Sequence, residues 1–220
     1  MTPRPCVVNA STKRLTLTGP AGAVEVLRDE PALSDGVAPR GVAVIAHPHP
    51  LFGGTMENKV VQTVARAFVQ CGWSAVRFNF RGVGGSAGVH DEGRGETDDL
   101  LAVIGQCAPT GALALAGFSF GSFVVSRAVE LLNGMRRIER IVLVGTAASR
   151  FDVATLPADL LDATLVIHGE RDDTVPLIDV LDWARPQNLP VTVIPGAGHF
   201  FHGQLGLLRS LVTRHLTSTP

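Results

Sequence analysis

Short, mostly apolar segments recur along this chain and alternate with segments that have the periodicity of helices. The apolar segments span residues 41–47, 74–80, 112–118, 140–145, 163–169 and 190–196. A run without polar alternation is typical of a strand that is covered on both faces, as the strands of parallel sheets are. Repeated strand–helix units predict an open and mostly parallel sheet with helices on both faces. This alternation therefore limits the chain to the α/β fold class.

The segments around these strands complete the predicted architecture. Residues 13–30 alternate polar and apolar side chains on both sides of Gly19-Pro20-Ala21-Gly22, which predicts an N-terminal antiparallel hairpin. Helices are predicted at residues 57–71, about 96–107, 120–133, about 176–186 and about 200–216. The interval between Gly145 and Ala163 is too short for a sizeable lid. We predict a three-layer α/β/α sandwich, built as a single domain of residues 1–220.

Charge and composition exclude several classes of function. With 18% charged residues and a formal net charge of −1, the chain has no basic field that would attract nucleic acid or an anionic membrane. It has no apolar stretch of 18 residues and no secretory signal pattern, so we expect a cytoplasmic protein without a membrane partner. Cys6, Cys71 and Cys107 are far apart and lack metal-ligand spacing, and we interpret them as reduced core thiols.

The pentapeptide Gly117-Phe118-Ser119-Phe120-Gly121 joins a predicted strand to a predicted helix. A serine in a strained turn at such a junction projects its hydroxyl above the sheet, and the flanking glycines let strand and helix pass closely. The N–H of Phe120 would then lie at a helix N-terminus, where it can stabilise an oxyanion. Simple turn formation would also explain glycine and serine here, so the function of Ser119 depends on partners elsewhere in the chain.

Candidate partners for Ser119 follow two later strands. Asp172 comes just after the strand at 163–169, and His199 lies in a glycine-rich loop after the strand at 190–196. Because the carboxyl ends of parallel strands meet at one edge of a sheet, we expect the three side chains to converge. A serine hydroxyl needs a base to become a nucleophile, and that base needs an orienting carboxylate. The order Ser, Asp, His therefore predicts a catalytic triad.

Four further segments give the chain a resemblance to the α/β-hydrolases over nearly its full length. They are FNFRGVGGSAG (78–88), HGERDDTVP (168–176), GAGHFFHG (196–203) and HPHPLFGGTMENKVV (47–61). The last of these is similar to a small, lidless bacterial branch that is carboxylesterase-like and dienelactone-hydrolase-like. The resemblance implies that Asp172 rather than Asp173 is the acid, and that His199 rather than His202 is the base. Dienelactone hydrolases carry cysteine at the position of Ser119, which argues against that activity here.

The activity implied by this resemblance is hydrolysis of carboxylic esters by two-step acyl transfer through Ser119. Backbone N–H groups should bind the oxyanion of the tetrahedral intermediate. We expect Phe120 to supply the first N–H and Leu51 the second. His49 and Phe52 are the alternatives to Leu51, since the two prolines of this loop cannot donate.

The substrate is expected to be a small molecule. Phe52, Phe118 and Phe200 lie near the predicted site in the sequence and are expected to line an apolar pocket. Without a lid, small or short-chain esters are favoured over long lipids. Thioesterase and peptidase activity on the same triad stay open, as does a catalytically silent module that only binds.

Two other kinds of site are disfavoured by the sequence. The histidines at 47, 49, 199 and 202 lack a metal-binding spacing, and the alternating prolines should turn the first two to opposite sides. We expect His47 instead to hydrogen-bond within its own loop. The run RGVGGSA resembles a dinucleotide fingerprint, but no acidic residue for the ribose occurs between Leu100 and Val129. We therefore expect neither a metal nor a cofactor.

Overall fold

An eight-stranded sheet runs through the part of the chain that the computed structural model describes, residues 11–34 and 36–218. Its strands are β1 (Ser11–Gly19), β2 (Gly22–Glu30), β3 (Val42–Ala46), β4 (Ser74–Phe78), β5 (Leu113–Phe118), β6 (Ile138–Val144), β7 (Thr164–Gly169) and β8 (Val191–Ile194). Their spatial order is β1-β2-β4-β3-β5-β6-β7-β8. The pairs β1–β2 and β2–β4 are antiparallel, and the pairs from β4 to β8 are parallel. The predicted sheet is confirmed.

Helices cover both faces of this sheet. They are α1 (Lys59–Gln70), α2 (Arg94–Cys107), α3 (Phe120–Leu132), α4 (Leu177–Ala184) and α5 (Leu205–Thr217). One apolar cluster joins α1 and α5 to the sheet, through residues such as Phe68 and Leu208. The other cluster joins α2, α3 and α4 to the opposite face, through residues such as Leu100, Val124 and Val180. The three-layer α/β/α sandwich is thereby confirmed.

The central strand β5 illustrates why apolar runs form the strands of this fold. Every residue of Leu113–Phe118 is buried. Leu113 and Leu115 belong to the cluster on the side of α2 and α3, whereas Ala114 and Ala116 belong to the cluster on the side of α1 and α5. Successive side chains of a strand point to opposite faces, so a strand between two layers of helices must be apolar at every position.

Local chemistry sets the ends of several elements. The β1–β2 hairpin turns at Pro20-Ala21, as predicted. Helix α1 begins at Lys59 rather than at residue 57, because the side chain of Asn58 accepts a backbone N–H and caps it. Helix α5 begins at Leu205 rather than at residue 200. Phe201 has a left-handed φ of 51°, which interrupts helical geometry just before it.

The connection from β6 to β7 is short, in agreement with the prediction that no lid is inserted there. Residues 145–163 include a 3-10 turn at Ala158–Leu160 and otherwise form loop. In the described ranges 11–34 and 36–218, no helix combines the length and the apolar character that crossing a membrane requires.

The cysteines differ in their surroundings. Cys107 is buried, and this burial raises the pKa of its thiol. Cys71 is half-buried, and its thiol points to the carbonyl oxygen of Thr213 at 3.9 Å. Cys6 lies outside the described residues.

Candidate active site

Ser119 occupies a strained turn between β5 and α3. Its backbone has φ 56° and ψ −118°, outside the regions that non-glycine residues normally adopt. A Cβ at Gly117 would lie 2.3 Å from the carbonyl oxygen of Gly121, and a Cβ at Gly121 would lie 2.4 Å from that of Ala46. Glycine at both positions therefore allows β5, α3 and the end of β3 to approach this closely. The turn holds the Ser119 hydroxyl at the carboxyl edge of the sheet.

Hydrogen bonds to the neighbouring strand β6 fix this turn. The N–H of Ser119 donates to the carbonyl oxygen of Val144 at 2.8 Å. The buried hydroxyl of Ser122 donates to the carbonyl oxygen of Gly117 at 2.8 Å and accepts the N–H of Val144 at 3.2 Å. Ser122 thus satisfies backbone groups of both strands at the point where the chain reverses. The sequence analysis missed this residue, because a serine one turn into a helix has no distinctive local pattern.

The three side chains predicted to form a triad lie in hydrogen-bonding contact, and all three residues are buried. His199 Nε2 lies 3.0 Å from Ser119 Oγ, and His199 Nδ1 lies 2.7 Å from Asp172 Oδ2. A carboxylate can only accept, so Nδ1 carries a proton and donates it to Asp172. In a neutral imidazole this leaves Nε2 as an acceptor that faces the serine hydroxyl. The arrangement can move a proton from the hydroxyl to the ring.

Asp172 is held by more than its contact with His199. Its Oδ1 accepts the N–H groups of Thr174 at 3.0 Å and Val175 at 2.8 Å. Burial alone raises the pKa of this carboxyl, but the bonds from His199 and from Val175 outweigh that effect and hold the pKa below its ordinary value. The carboxylate is therefore ionised at neutral pH. The neighbouring Asp173 is exposed and points elsewhere.

Backbone N–H groups from two elements lie beside the Ser119 turn. Phe120 is the first residue of α3, and a first helical N–H has no acceptor within its helix. The loop after β3 packs against α3, but in it the N–H of Leu51 donates to His49 Nδ1 at 3.2 Å. The N–H of Phe52 donates to the His49 carbonyl oxygen, also at 3.2 Å. Leu51 was expected to supply the second oxyanion donor, and in this structure its N–H is bonded to His49 instead of being free.

The reason is the imidazole of His49, which folds back and caps the short 3-10 turn Pro50–Phe52. Within the described part of the chain, the N–H of His49 itself has no hydrogen-bond acceptor. His49 and Phe52 were the alternatives to Leu51, and of these three N–H groups only that of His49 is without an acceptor among the described residues.

Comparison with known proteins identifies the family. No protein-family model matches the chain. It is similar to XC6422 from Xanthomonas campestris, an α/β serine hydrolase without a lid, with 37% identity, a TM-score of 0.83, and coverage of 97% of this chain and 99% of that chain. The chain belongs to the α/β-hydrolases. An α/β serine hydrolase homologue from Coxiella burnetii is also similar to it, with 36% identity, a TM-score of 0.79, and coverage of 93% and 97% of the two chains.

A further relative of this hydrolase carries no assigned activity. The uncharacterized protein RP471 of Rickettsia prowazekii (strain Madrid E) is 32% identical over 174 residues, which are 73% of this chain and 71% of that protein. The resemblance to lidless α/β-hydrolases that the sequence motifs indicated is therefore confirmed over almost the whole chain.

Aromatic rings surround the candidate site of the hydrolase and differ in their exposure. Phe118 is 1% exposed and packs its ring 4.9 Å from that of His199, so it supports the imidazole from the core instead of lining an open pocket. Phe200 and Phe52 are 45% and 77% exposed, and their rings lie beside His199 and His49 respectively. These two remain candidates for contact with substrate.

His47 also shapes the loop beside the Ser119 turn. His47 is fully buried, accepts the N–H of Phe80 at Nε2 (3.0 Å), and therefore donates from Nδ1 to the carbonyl oxygen of Pro48 (2.6 Å). Burial lowers the pKa of His47 to about 4, so it is neutral. This matches the expectation that His47 bonds within its own loop. Among the described residues, no three His, Cys, Asp or Glu side chains are arranged to hold a metal ion.

A buried pair that the sequence analysis missed supports His49. The carboxylate of Glu96 is fully buried and lies 2.7 Å from His90 Nδ1. It also accepts the N–H of Asp91 at 3.0 Å and that of Gly93 at 2.8 Å. The ring of His90 lies 4.7 Å from that of His49. The contact of Glu96 with His90 depends on how the loop before α2 folds back, which no local sequence pattern indicates.

Proposed function

We propose that this hydrolase cleaves small or short-chain carboxylic esters by two-step acyl transfer. Ser119 is the nucleophile, His199 the general base and acid, and Asp172 the group that orients and stabilises the imidazolium. The observation that supports these roles is the continuous pair of hydrogen bonds from Ser119 Oγ to His199 Nε2 (3.0 Å) and from His199 Nδ1 to Asp172 Oδ2 (2.7 Å).

In the first step, Ser119 Oγ attacks the carbonyl carbon of the ester while its proton passes to His199 Nε2. The tetrahedral intermediate collapses, the bond to the alcohol oxygen breaks, and His199 returns the proton to the leaving alcohol. This leaves an ester between the acyl group and Ser119. In the second step, water gives a proton to His199 and attacks the acyl carbon, and collapse of the second intermediate releases the acid and regenerates the serine hydroxyl.

We assign the binding of the oxyanion in both intermediates to the backbone N–H groups of Phe120 and His49. Phe120 supports this role because it begins α3, a buried helix whose N-terminus carries partial positive charge. His49 supports it because its N–H has no acceptor among residues 11–34 and 36–218, whereas those of Leu51 and Phe52 are already bonded. Loss of one such donor typically lowers kcat by about 10²–10³-fold.

The openness of the fold supports small esters as substrates. The short β6–β7 connection carries no lid to enclose a long acyl chain. The exposed rings of Phe52 and Phe200 offer limited apolar contact beside the site. We therefore expect activity to be highest on acetyl to butyryl esters and to fall with longer chains.

Fluorophosphonate labelling followed by mass spectrometry tests the proposal. The tryptic peptide 95–127 contains Ser119 together with Ser122 and Ser126, so fragmentation must assign the modified serine. We expect modification of Ser119 alone, and turnover of p-nitrophenyl acetate and butyrate above that of acyl-CoA thioesters and peptide anilides. Modification of another residue, or no modification of the folded protein, would refute the assignment of Ser119 as the nucleophile. Faster turnover of thioesters or anilides would agree with the assignment of the triad but would show that the proposed substrate class is wrong.

A further inference from the structure

His168 lies inside the sheet directly beside the acid of the candidate triad. It is the fifth residue of β7 and is completely buried. Its Nε2 lies 2.9 Å from the carbonyl oxygen of Val175 and 3.4 Å from Asp172 Oδ2. Both neighbours are acceptors, so Nε2 carries a proton directed at the two oxygens. The second of these is the oxygen that also accepts the bond from His199 Nδ1.

The other ring nitrogen of His168 shows which side of the imidazole makes polar contacts. Nδ1 is buried and has no hydrogen-bond partner in the described chain. Leaving a buried polar atom unpaired destabilises the folded state, and an apolar side chain at this position would avoid that cost. Burial lowers the pKa of His168, so the ring is neutral, and the titratable groups that act on it are Asp172 and His199. The polar contribution of the ring is therefore made by Nε2–H alone.

We infer that His168 is a positioning residue for the triad. Its Nε2–H fixes the turn that carries Asp172, through Val175, and holds Asp172 Oδ2 where it accepts from His199. This inference rests on the proposed function, since His168 acts on the reaction only through the Asp172–His199 pair.

The position of Nε2–H also affects the charge on the acid. A positive N–H end 3.4 Å from Oδ2 withdraws negative charge from the oxygen that stabilises protonated His199. Removing it leaves a stronger acceptor, so the acid limb of the pH profile of kcat/KM moves to higher pH. The orientation of Asp172 is loosened at the same time, so kcat falls while substrate binding is spared.

The test compares His168→Leu, which removes the donor, with His168→Gln, whose amide nitrogen reaches the position of Nε2. His215 supplies matched controls, His215→Leu and His215→Gln. It is a half-buried histidine whose Nε2 bonds the carbonyl oxygen of Ala163, the residue just before the start of β7. For each protein, kcat and KM on p-nitrophenyl acetate are measured from pH 5 to 9, together with urea unfolding.

We expect His168→Leu to lower kcat about 10-fold or more with little change in KM and to move the acid limb to higher pH. His168→Gln should recover most of both effects. The His215 variants should lose stability but keep the wild-type profile. If His168→Leu and His168→Gln keep the wild-type kcat and acid limb, His168 has only a structural role and the inference is wrong.

If His168→Leu does not fold, His168→Asn provides a second comparison. His168→Asn carries its amide near the position of Nδ1 and cannot reach Val175, so a wild-type profile in folded His168→Asn overturns the inference equally. Failure of the proposed function is seen separately, as absent labelling of Ser119 in the wild-type protein.

Discussion

His199 Nε2 lies 3.0 Å from Ser119 Oγ, although 80 positions separate the two residues along the chain. Ser119 follows β5 and His199 follows β8, and the two strands are parallel members of one sheet with β6 and β7 between them. All parallel strands of a sheet end at the same edge, so the loops after them meet there. The contact therefore depends on the topology of the fold and on no local sequence pattern.

Ser119→Ala should abolish ester turnover without unfolding the protein. Replacing a triad serine typically lowers kcat by about 10⁵–10⁶-fold, because no other group replaces the nucleophile. The hydroxyl of Ser119 bonds only His199 among the described residues, so its loss leaves the core intact. Hydrolysis of p-nitrophenyl acetate and the unfolding midpoint are measured together.

Ser126→Ala is the matched control for that change. Ser126 also lies on α3, where its hydroxyl donates to the carbonyl oxygen of Phe123 and accepts the N–H of Ala154. Its loss should cost about 1 kcal/mol of stability and leave kcat nearly unchanged. Ester turnover retained by Ser119→Ala would refute the assignment of the nucleophile.

Gly121→Ala should strongly destabilise the fold. The added Cβ would lie 2.4 Å from the carbonyl oxygen of Ala46 and 2.6 Å from that of His47, and backbone cannot move aside as a flexible side chain can. We expect a loss of about 2–3 kcal/mol or no folded protein, measured by urea unfolding.

Gly105→Ala on α2 provides the comparison. Among the described residues, no atom outside the backbone of its own helix lies within 4 Å of a Cβ at this position, and alanine is the better helix former. It should raise stability by roughly 0.5–1 kcal/mol. Equal effects of the two substitutions would show that close packing at the Ser119 turn does not require glycine.

The sequence predicted the parts of the site that depend on strand order. Apolar runs located the strands, and the rule that loops after parallel strands share an edge brought Ser119, Asp172 and His199 together. The structure has these side chains in contact. The strained turn at Ser119 was also predictable, because glycines two residues before and two residues after the serine indicate a turn in which a Cβ would clash with neighbouring backbone.

Details that depend on how loops fold back were not predictable from the sequence. The bond from Leu51 N–H to His49 Nδ1 depends on the rotamer of His49, which no spacing specifies. Phe118 was expected at a pocket, but alternation along β5 turns its side chain toward the core on the side of α1 and α5. The contact between His90 and Glu96 likewise arises from the turn between them.

Acid should destabilise the protein between about pH 6.5 and 4. Burial lowers the pKa of His47 to about 4, and burial together with the charge of Arg140 lowers the pKa of His215 to about 4. In the unfolded chain a histidine titrates near 6.5, so as pH falls through this window the unfolded state binds protons that the folded state does not. Each residue should reduce the free energy of unfolding by up to about 3 kcal/mol.

His215→Gln isolates one of these two contributions. Between pH 7 and 4, its free energy of unfolding should fall by up to about 3 kcal/mol less than that of the wild-type protein, since one titration is missing. Urea unfolding at a series of pH values measures the difference. Parallel curves for the two proteins would mean that His215 titrates alike in the folded and unfolded states.

His49→Pro should lower kcat far more than His49→Ala. Both substitutions remove the imidazole, but only proline removes the backbone N–H, which is the proposed oxyanion donor. The φ of His49 is −53°, within the range that proline adopts, so the loop can accept this residue without a change of backbone path. The difference between the two variants therefore reports the N–H alone. We expect kcat on p-nitrophenyl acetate to be about 10²–10³-fold lower in His49→Pro than in His49→Ala, with similar KM.

Equal kcat values would assign the second donor to another residue. Leu51→Pro is the control for a proline in this loop, and because the Leu51 N–H is already bonded to His49, it should keep most of the wild-type kcat.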